Sequence, residues 1–244
     1  MHAVLTIGRR ELAAYFASPL AYVFIIIFLA LASGLTFYLG AWLERGQADL
    51  QGFFNWHPWL YLFLVPAVGM RLWAEERKTG TIEFLMTQPV TTLQAVLGKF
   101  LAAWVFVGIA LVLTFPMWLT VNYLGNPDNG VILAGYTGSW LMAGGLLAIS
   151  AAVSALSKNQ VIAFVLAAAI CFLFLMSGLE MVQAFFRAWA PDSFVRTIAD
   201  LSVLTSFNGI AQGVIDLRDV VLFGSLILVA LFINVTLIEL NKGS

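Results

Sequence analysis

Long apolar runs separated by short polar stretches dominate the chain. The first occupies residues 20–43, and its 24 residues reach ~36 Å as a helix, enough to cross ~30 Å of hydrocarbon with some tilt. It is longer than the apolar region of a secretion signal, and no small-residue cleavage site follows, so it reads as a retained span. Further spans are expected at 56–73, containing Pro58 and Pro66; at 95–124, with Lys99 near its start and Pro116 inside; at 131–156; at 160–182, ending beside Glu180; and at 220–240. Residues 183–219 are too polar to span freely but hold Phe185, Phe186, Trp189, Phe194 and Phe207. Bare backbone at membrane depth must be sheltered by protein, so this stretch predicts short interfacial or re-entrant helices. The fold class is all-α, a polytopic membrane protein of six transmembrane helices in a single domain, 1–244.

The first 18 residues also have a helical pattern. At 100° per residue, Val4, Leu5, Leu12, Tyr15 and Phe16 share an arc, and Thr6, Arg9 and Arg10 lie opposite. Ile7 falls off the apolar arc and Glu11 sits at its edge. This layout suits a helix lying in the interface plane. A frayed tail is the alternative. Ser18-Pro19 breaks the segment before the first span.

Small residues recur at helical spacing in two spans: Gly144, Ala148 and Ala152 on one face, Ala163, Ala167 and Cys171 on another. Such faces permit close helix approach, either within the chain or against a second subunit.

Composition agrees with the pattern. The 244 residues are 61% hydrophobic and 10% charged, whereas soluble domains carry about a quarter charged residues. The net charge of −1 gives no basic field for nucleic acid. The single cysteine, Cys171, cannot close an intrachain disulfide or build a thiolate metal cage. Orientation follows from the cations near span ends. With the N-terminus inside, Arg9, Arg10, Arg71, Arg77, Lys78, Lys99, Lys158 and Lys242 are cytoplasmic, and Arg45, Arg187, Arg196 and Arg218 are external. Eight against four places both termini in the cytoplasm.

The densest charge lies in the stretch Trp73-Ala-Glu-Glu-Arg-Lys-Thr-Gly-Thr-Ile-Glu-Phe-Leu-Met-Thr-Gln-Pro89. Arg77 and Lys78 suit a helix C-terminus, and Gly80 suits the left-handed residue that stops it. Thr79 or Thr81 can cap a new short helix that Pro89 ends, with Ile82, Leu85 and Met86 on one face. Two uses are open to such a helix: an anchor held by a soluble partner, or a face laid on lipid headgroups.

The pattern Glu75-Glu76-Arg77-x-x-Gly80-Thr81-x-Glu83-x-Leu85-x-x-x-Pro89 resembles the loop between the second and third spans of ABC-2 type permeases, the membrane subunits of ATP-binding-cassette transporters. The opening, Arg10-Glu11-Leu12 through Ser18-Pro19, is similar to the family's N-terminal elbow helix, here residues 1–19 with Arg9, Arg10 and Glu11 on it. Length, span number and the segment 183–219 agree, so the resemblance covers nearly the whole chain. The gliding-motility-type and copper-enzyme-maturation-type permeases look nearest. The resemblance implies that loop 74–90 couples the spans to an ATP-binding subunit. Glu75, Glu76 and Arg77 would form a polar hinge, Gly80 and Thr81 the turn, and Glu83, Phe84 and Leu85 would sit on or beside the coupling helix. It also implies a second permease copy or a related permease, with an auxiliary membrane or periplasmic subunit as a further partner. Export across a bacterial-type inner membrane is likewise implied, although some such systems act as mechanical transmitters.

No cofactor is expected on this chain. A phosphate loop needs G-x-x-x-x-G-K-[ST]; at the one Gly-Lys pair, Gly98-Lys99, Leu93 fills the first glycine position and Phe100 replaces the hydroxyl residue. ATP and Mg are therefore expected in a partner, and the chain itself is not expected to be an enzyme. An intramembrane protease is a rival suggested by Glu75-Glu76, but its arginine position is Gly80, and the two histidines are His2 and His57. Ser150, Ser154 and Ser177 lie in spans without a base, where a serine more often bonds its own helix. A secondary transporter needs mid-membrane acids; the nearest is Glu180, an acid near the external mouth. A plain membrane anchor is the third alternative. The transported substrate is not legible.

Overall fold

The computed structural model describes residues 2–81, 90–187, 191 and 201–240, and every regular element among them is helical. Helix α1 is His2–Ala17 and α2 is Pro19–Gly34. The break between them is a capped start: the Ser18 hydroxyl accepts from the Leu20 amide at 3.3 Å, and Pro19 occupies the first turn, where its missing N–H costs nothing. Helix α2 runs into a π-helical turn, Leu35–Leu39. Then come α3 (Gln51–Phe54), α4 (His57–Gly69) and α5 (Ala74–Thr79). Helix α6 is Thr92–Val112, opened by a capping box between Thr91 and Gln94. Pro116 sits in the first turn of α7 (Phe115–Leu124), so the apolar stretch Thr92–Leu124 is built of two successive helices.

Helix α8, Asn129–Ser154, is the centre of the bundle. It packs against α3, α4, α6, α9 (Gln160–Met176), α11 (Val203–Ala211) and α12 (Leu217–Leu240). Of its most apolar 18-residue window 72% is buried, so its sides are mostly apolar and small, and its buried polar side chains need partners. The small residues Ala163, Ala167 and Cys171 are fully buried, on a helix whose main neighbours within the chain are α8 and α4, with α11 and α5 also touching it.

Four helical stretches among the described residues are long and apolar enough to cross a membrane: Pro19–Leu39, Thr92–Leu124, Asn129–Ser154 and Leu217–Leu240. A fifth arises if the bent pair α9 and α10 (Glu180–Arg187) counts as one span. Two expectations change in detail. The span expected at 160–182 is not straight: the helix stops at Met176 and the chain turns by 73° before Glu180. The span expected at 56–73 is a helix of 13 residues, ~20 Å long and short of the hydrocarbon thickness by itself. Pro66 within it withholds one ladder hydrogen bond. The expected short helices before the last span include α10 and α11; Trp189 and Phe194 lie outside the described residues.

Helix α1 packs most of the expected arc, Leu12, Tyr15 and Phe16, against the core, but its inward stripe is shifted toward Ile7 and away from Leu5. Ile7 is 8% exposed and Leu5 is 58% exposed. The reason is α6: a Cβ at Gly98 would stand 2.7 Å from Ile7 Cγ2 and 3.1 Å from the Val4 carbonyl. The missing side chain is the notch into which α1 fits. Farther along, Tyr15 stacks on Phe106 at 5.0 Å and Phe16 meets the same ring edge-on at 5.7 Å. Helix α1 therefore lies along the first half of α6.

Candidate functional site

The charged stretch after α4 is held by three neighbours. The first is the C-terminal end of α8. Between α4 and α5 the backbone turns through residues 70–73, leaving groups that a helix would have paired. One hydroxyl serves them: Ser154 donates to the Met70 carbonyl at 2.7 Å and accepts from the Trp73 and Ala74 amides, each at 3.1 Å. Gly69 lies so close to Ser150 that any Cβ there would collide with it. Farther along α5, Arg77 donates to the Ala155 carbonyl at the end of α8, where the helix dipole favours a cation.

The second and third neighbours are α6 and α1, joined through Lys99. Its side chain is 3% exposed and its Nζ lies 2.7 Å from Glu76 and 3.3 Å from Glu11. The ammonium also sits 5.3 Å from the centre of the Trp73 ring, within cation–π range. Glu11 is shared with Arg10 at 3.0 Å. A single buried cation thus ties α1, α5 and α6. The second oxygen of Glu76, Oε2, is buried without a partner among the described residues. Such a junction is fragile by design of its chemistry: removing one member leaves its partners as unpaired charges in a low dielectric.

The remaining expected residues fall as follows. Glu75 meets Arg71 at 3.3 Å on the outer side of α5, half exposed. Gly80 adopts φ +73°, the left-handed stop expected of it, and the Thr79 and Thr81 hydroxyls meet at 2.9 Å. Glu83, Phe84 and Leu85 lie outside the described residues. Arg9 and Arg10 are exposed, and Glu11 turns inward. Glu180 is the exposed first residue of α10, at the far limb of the 73° bend, and is not one of the carboxylates paired with Lys99. The structure adds two residues to the site, Lys99 and Ser154. A lysine inside an apolar run is itself a signal, since an ion at that depth needs a partner. The expectation that span serines bond their own helix holds for Ser150, to Leu146, and Ser177, to Phe174, but Ser154 reaches across to α4.

A second polar group lies at the opposite end of α4. His57 Nδ1 is 2.7 Å from the Ser139 hydroxyl, which is 2.9 Å from the Tyr61 hydroxyl. All three side chains are buried, within the rings of Phe28, Phe53 and Phe54. A serine beside an imidazole has the ingredients of a nucleophile and base, but among the described residues no carboxylate orients the ring and Nε2 has no partner, and Ser139 is wholly enclosed. The arrangement therefore fastens α4 to α8 and lacks the access and orienting group that acyl transfer needs. Among the described residues no three His, Cys, Asp or Glu side chains are placed to hold a metal ion.

Several long apolar helices around a buried central helix, with an ionic junction at one end, define a multi-pass membrane protein. The chain belongs to the ABC-2 transporter family: the family described as ABC-2 family transporter protein matches residues 59–233. That match takes in α4 through most of α12, including Lys99, Ser154 and the loop between α5 and α6. Membership makes the chain a permease-type membrane component and implies, in general, an ATP-binding cassette partner. No curated protein matches the sequence.

Proposed function

We propose that this chain is the permease subunit of an exporter, forming half of a translocation pathway with a second permease. In this reading an ATP-binding subunit docks on loop 74–90, on the cytoplasmic side of a bacterial-type inner membrane, where both termini also lie. ATP and Mg belong to that partner. The partner's closure pushes on Glu83, Phe84 and Leu85, and the push passes through Gly80 and Thr81 to the hinge Glu75, Glu76 and Arg77.

The observation that supports this most is the Lys99 junction. A loop meant to carry force needs stiff attachments, because ATP binding can favour one conformation of the spans only through differential contacts. Glu76 on Lys99, Arg77 on Ala155 and Ser154 on the α4–α5 turn supply such attachments to α6, α8 and α1. The excess of cations at this end of the spans supports the orientation.

The test is purification of the tagged chain from its native membrane in mild detergent, with assay of co-purifying ATPase activity. An ATP-binding subunit should come with the wild-type chain and be lost from Glu83→Lys. Recovery of the chain alone under several gentle conditions, or full partner binding by Glu83→Lys, overturns the docking assignment.

A further inference from the structure

A groove of about 180 Å³ opens sideways between α2 and α4, at the end of the bundle where α1 leads into α2. Its floor is Val68 and Phe106, 4% and 1% exposed, and its rim includes Val23 and Ile27, 48% and 42% exposed. These rim residues belong to a span with only 28% of its window buried, so the opening faces hydrocarbon, and an acyl chain is what can fill it. Filling alone would be unselective. The groove's other end is different: it is closed by Tyr15 and Arg71.

Arg71 is incompletely satisfied there. Its Nε meets Glu75 Oε2 at 3.3 Å, and its two terminal nitrogens have no acceptor among the described residues. A guanidinium offers five donors in a planar fork that matches a phosphate. Glu75 is half exposed and leaves most of that fork open. Burial raises the pKa of the Tyr15 hydroxyl, with Glu11 adding to the shift, so the phenol stays a neutral donor. Stacking on Phe106 fixes its ring.

We propose that this groove binds one anionic phospholipid from the leaflet bordering α1. Its phosphate lies on the Arg71 guanidinium beside Tyr15, and one acyl chain lies between α2 and α4. A zwitterionic headgroup would bring its own ammonium up to Arg71, which is the physical basis for selecting an anionic one. The site depends only on the chain's being in a bilayer, and not on its orientation or on an ATP-binding partner.

The test is native mass spectrometry of the purified, delipidated full chain, titrated with dioleoyl phosphatidylglycerol or dioleoyl phosphatidylcholine. One phosphatidylglycerol should bind about fivefold more tightly than phosphatidylcholine, the factor expected for one basic side chain at a membrane surface. Arg71→Gln should abolish that preference, and Ala67→Phe, which fills the groove, should weaken both lipids. Retention of the preference in Arg71→Gln overturns the proposal even if Ala67→Phe does not fold. Equal displacement of the lipid by inorganic phosphate overturns it as well, because the site would then be one for a free anion.

Discussion

The two ends of α4 are both fastened to α8 by polar groups, but by different chemistry. At the His57 end the fastening is neutral: an imidazole, a hydroxyl and a phenol in a ring of aromatic side chains, with His57 and Ser139 wholly buried. At the other end the chain leaves the helix, and the fastening joins a serine bridge to an ionic junction. Neutral hydrogen bonds inside an aromatic shell have one good arrangement and resist displacement. An ionic junction is stiff while its pairs hold but has alternative pairings, and Lys99 already has two carboxylates and Glu11 already has two cations. The difference suits an anchor at one end and a joint at the other.

Removing the cation separates the two ends most sharply. Lys99→Met should destabilise the protein by about 3 kcal/mol, the lower part of the range for breaking a buried pair, because Glu11 and Glu76 keep 18% and 20% of their side-chain surface exposed. Thermal unfolding in detergent measures this. The neutral triple variant Lys99→Met, Glu11→Gln, Glu76→Gln should regain most of the stability yet transmit nucleotide-driven change poorly. A triple variant that is both stable and fully coupled would break the distinction between joint and anchor.

A smaller effect is expected at the other end. Ser139→Ala leaves His57 and Tyr61 without their partner and should cost about 1–3 kcal/mol, read by the same unfolding measurement, while ATPase stimulation in the assembled transporter stays at the wild-type level. Loss of coupling in a Ser139→Ala protein that folds normally would make this end part of the joint. The smallest effect should come from Glu75→Gln, which removes a half-exposed pair of the i, i+4 type and should change stability by about 0.3–0.5 kcal/mol. A much larger change would show that Arg71 and Glu75 belong to the buried network.

Much of this was legible in the sequence where the signal is local. The apolar runs mark α2, α6, α8, α9 and α12 because spanning helices must be long and apolar. Gly80 could be read as a left-handed stop from the charge order before it. What escaped reading depends on distant residues. The inward stripe of α1 is set by the notch at Gly98, so helical periodicity alone put Ile7 on the wrong side. Ser154 serves amides 80 and 81 positions away, and no pattern near residue 154 announces that. The bend after Met176 falls inside a run still apolar enough to continue, where Gly178 lies against Ser202 and Thr205. Lys99 is the exception, since its cost in an apolar run requires a counter-charge even though the run does not say which.

Helix α8 sets a schedule for synthesis. His57, the Met70 carbonyl, the Trp73 and Ala74 amides and Arg77 find their partners on α8 or just past its end, between 78 and 84 residues later in the chain. At ~5–20 residues per second a ribosome needs roughly 4–17 s to make that stretch. For that interval the newly inserted α4 and α5 hold a histidine, a carbonyl, two amides and a guanidinium whose permanent partners do not yet exist. The first half of this protein must therefore wait in the membrane, held by water, lipid or an insertion factor, until the third of its long helices arrives to complete it.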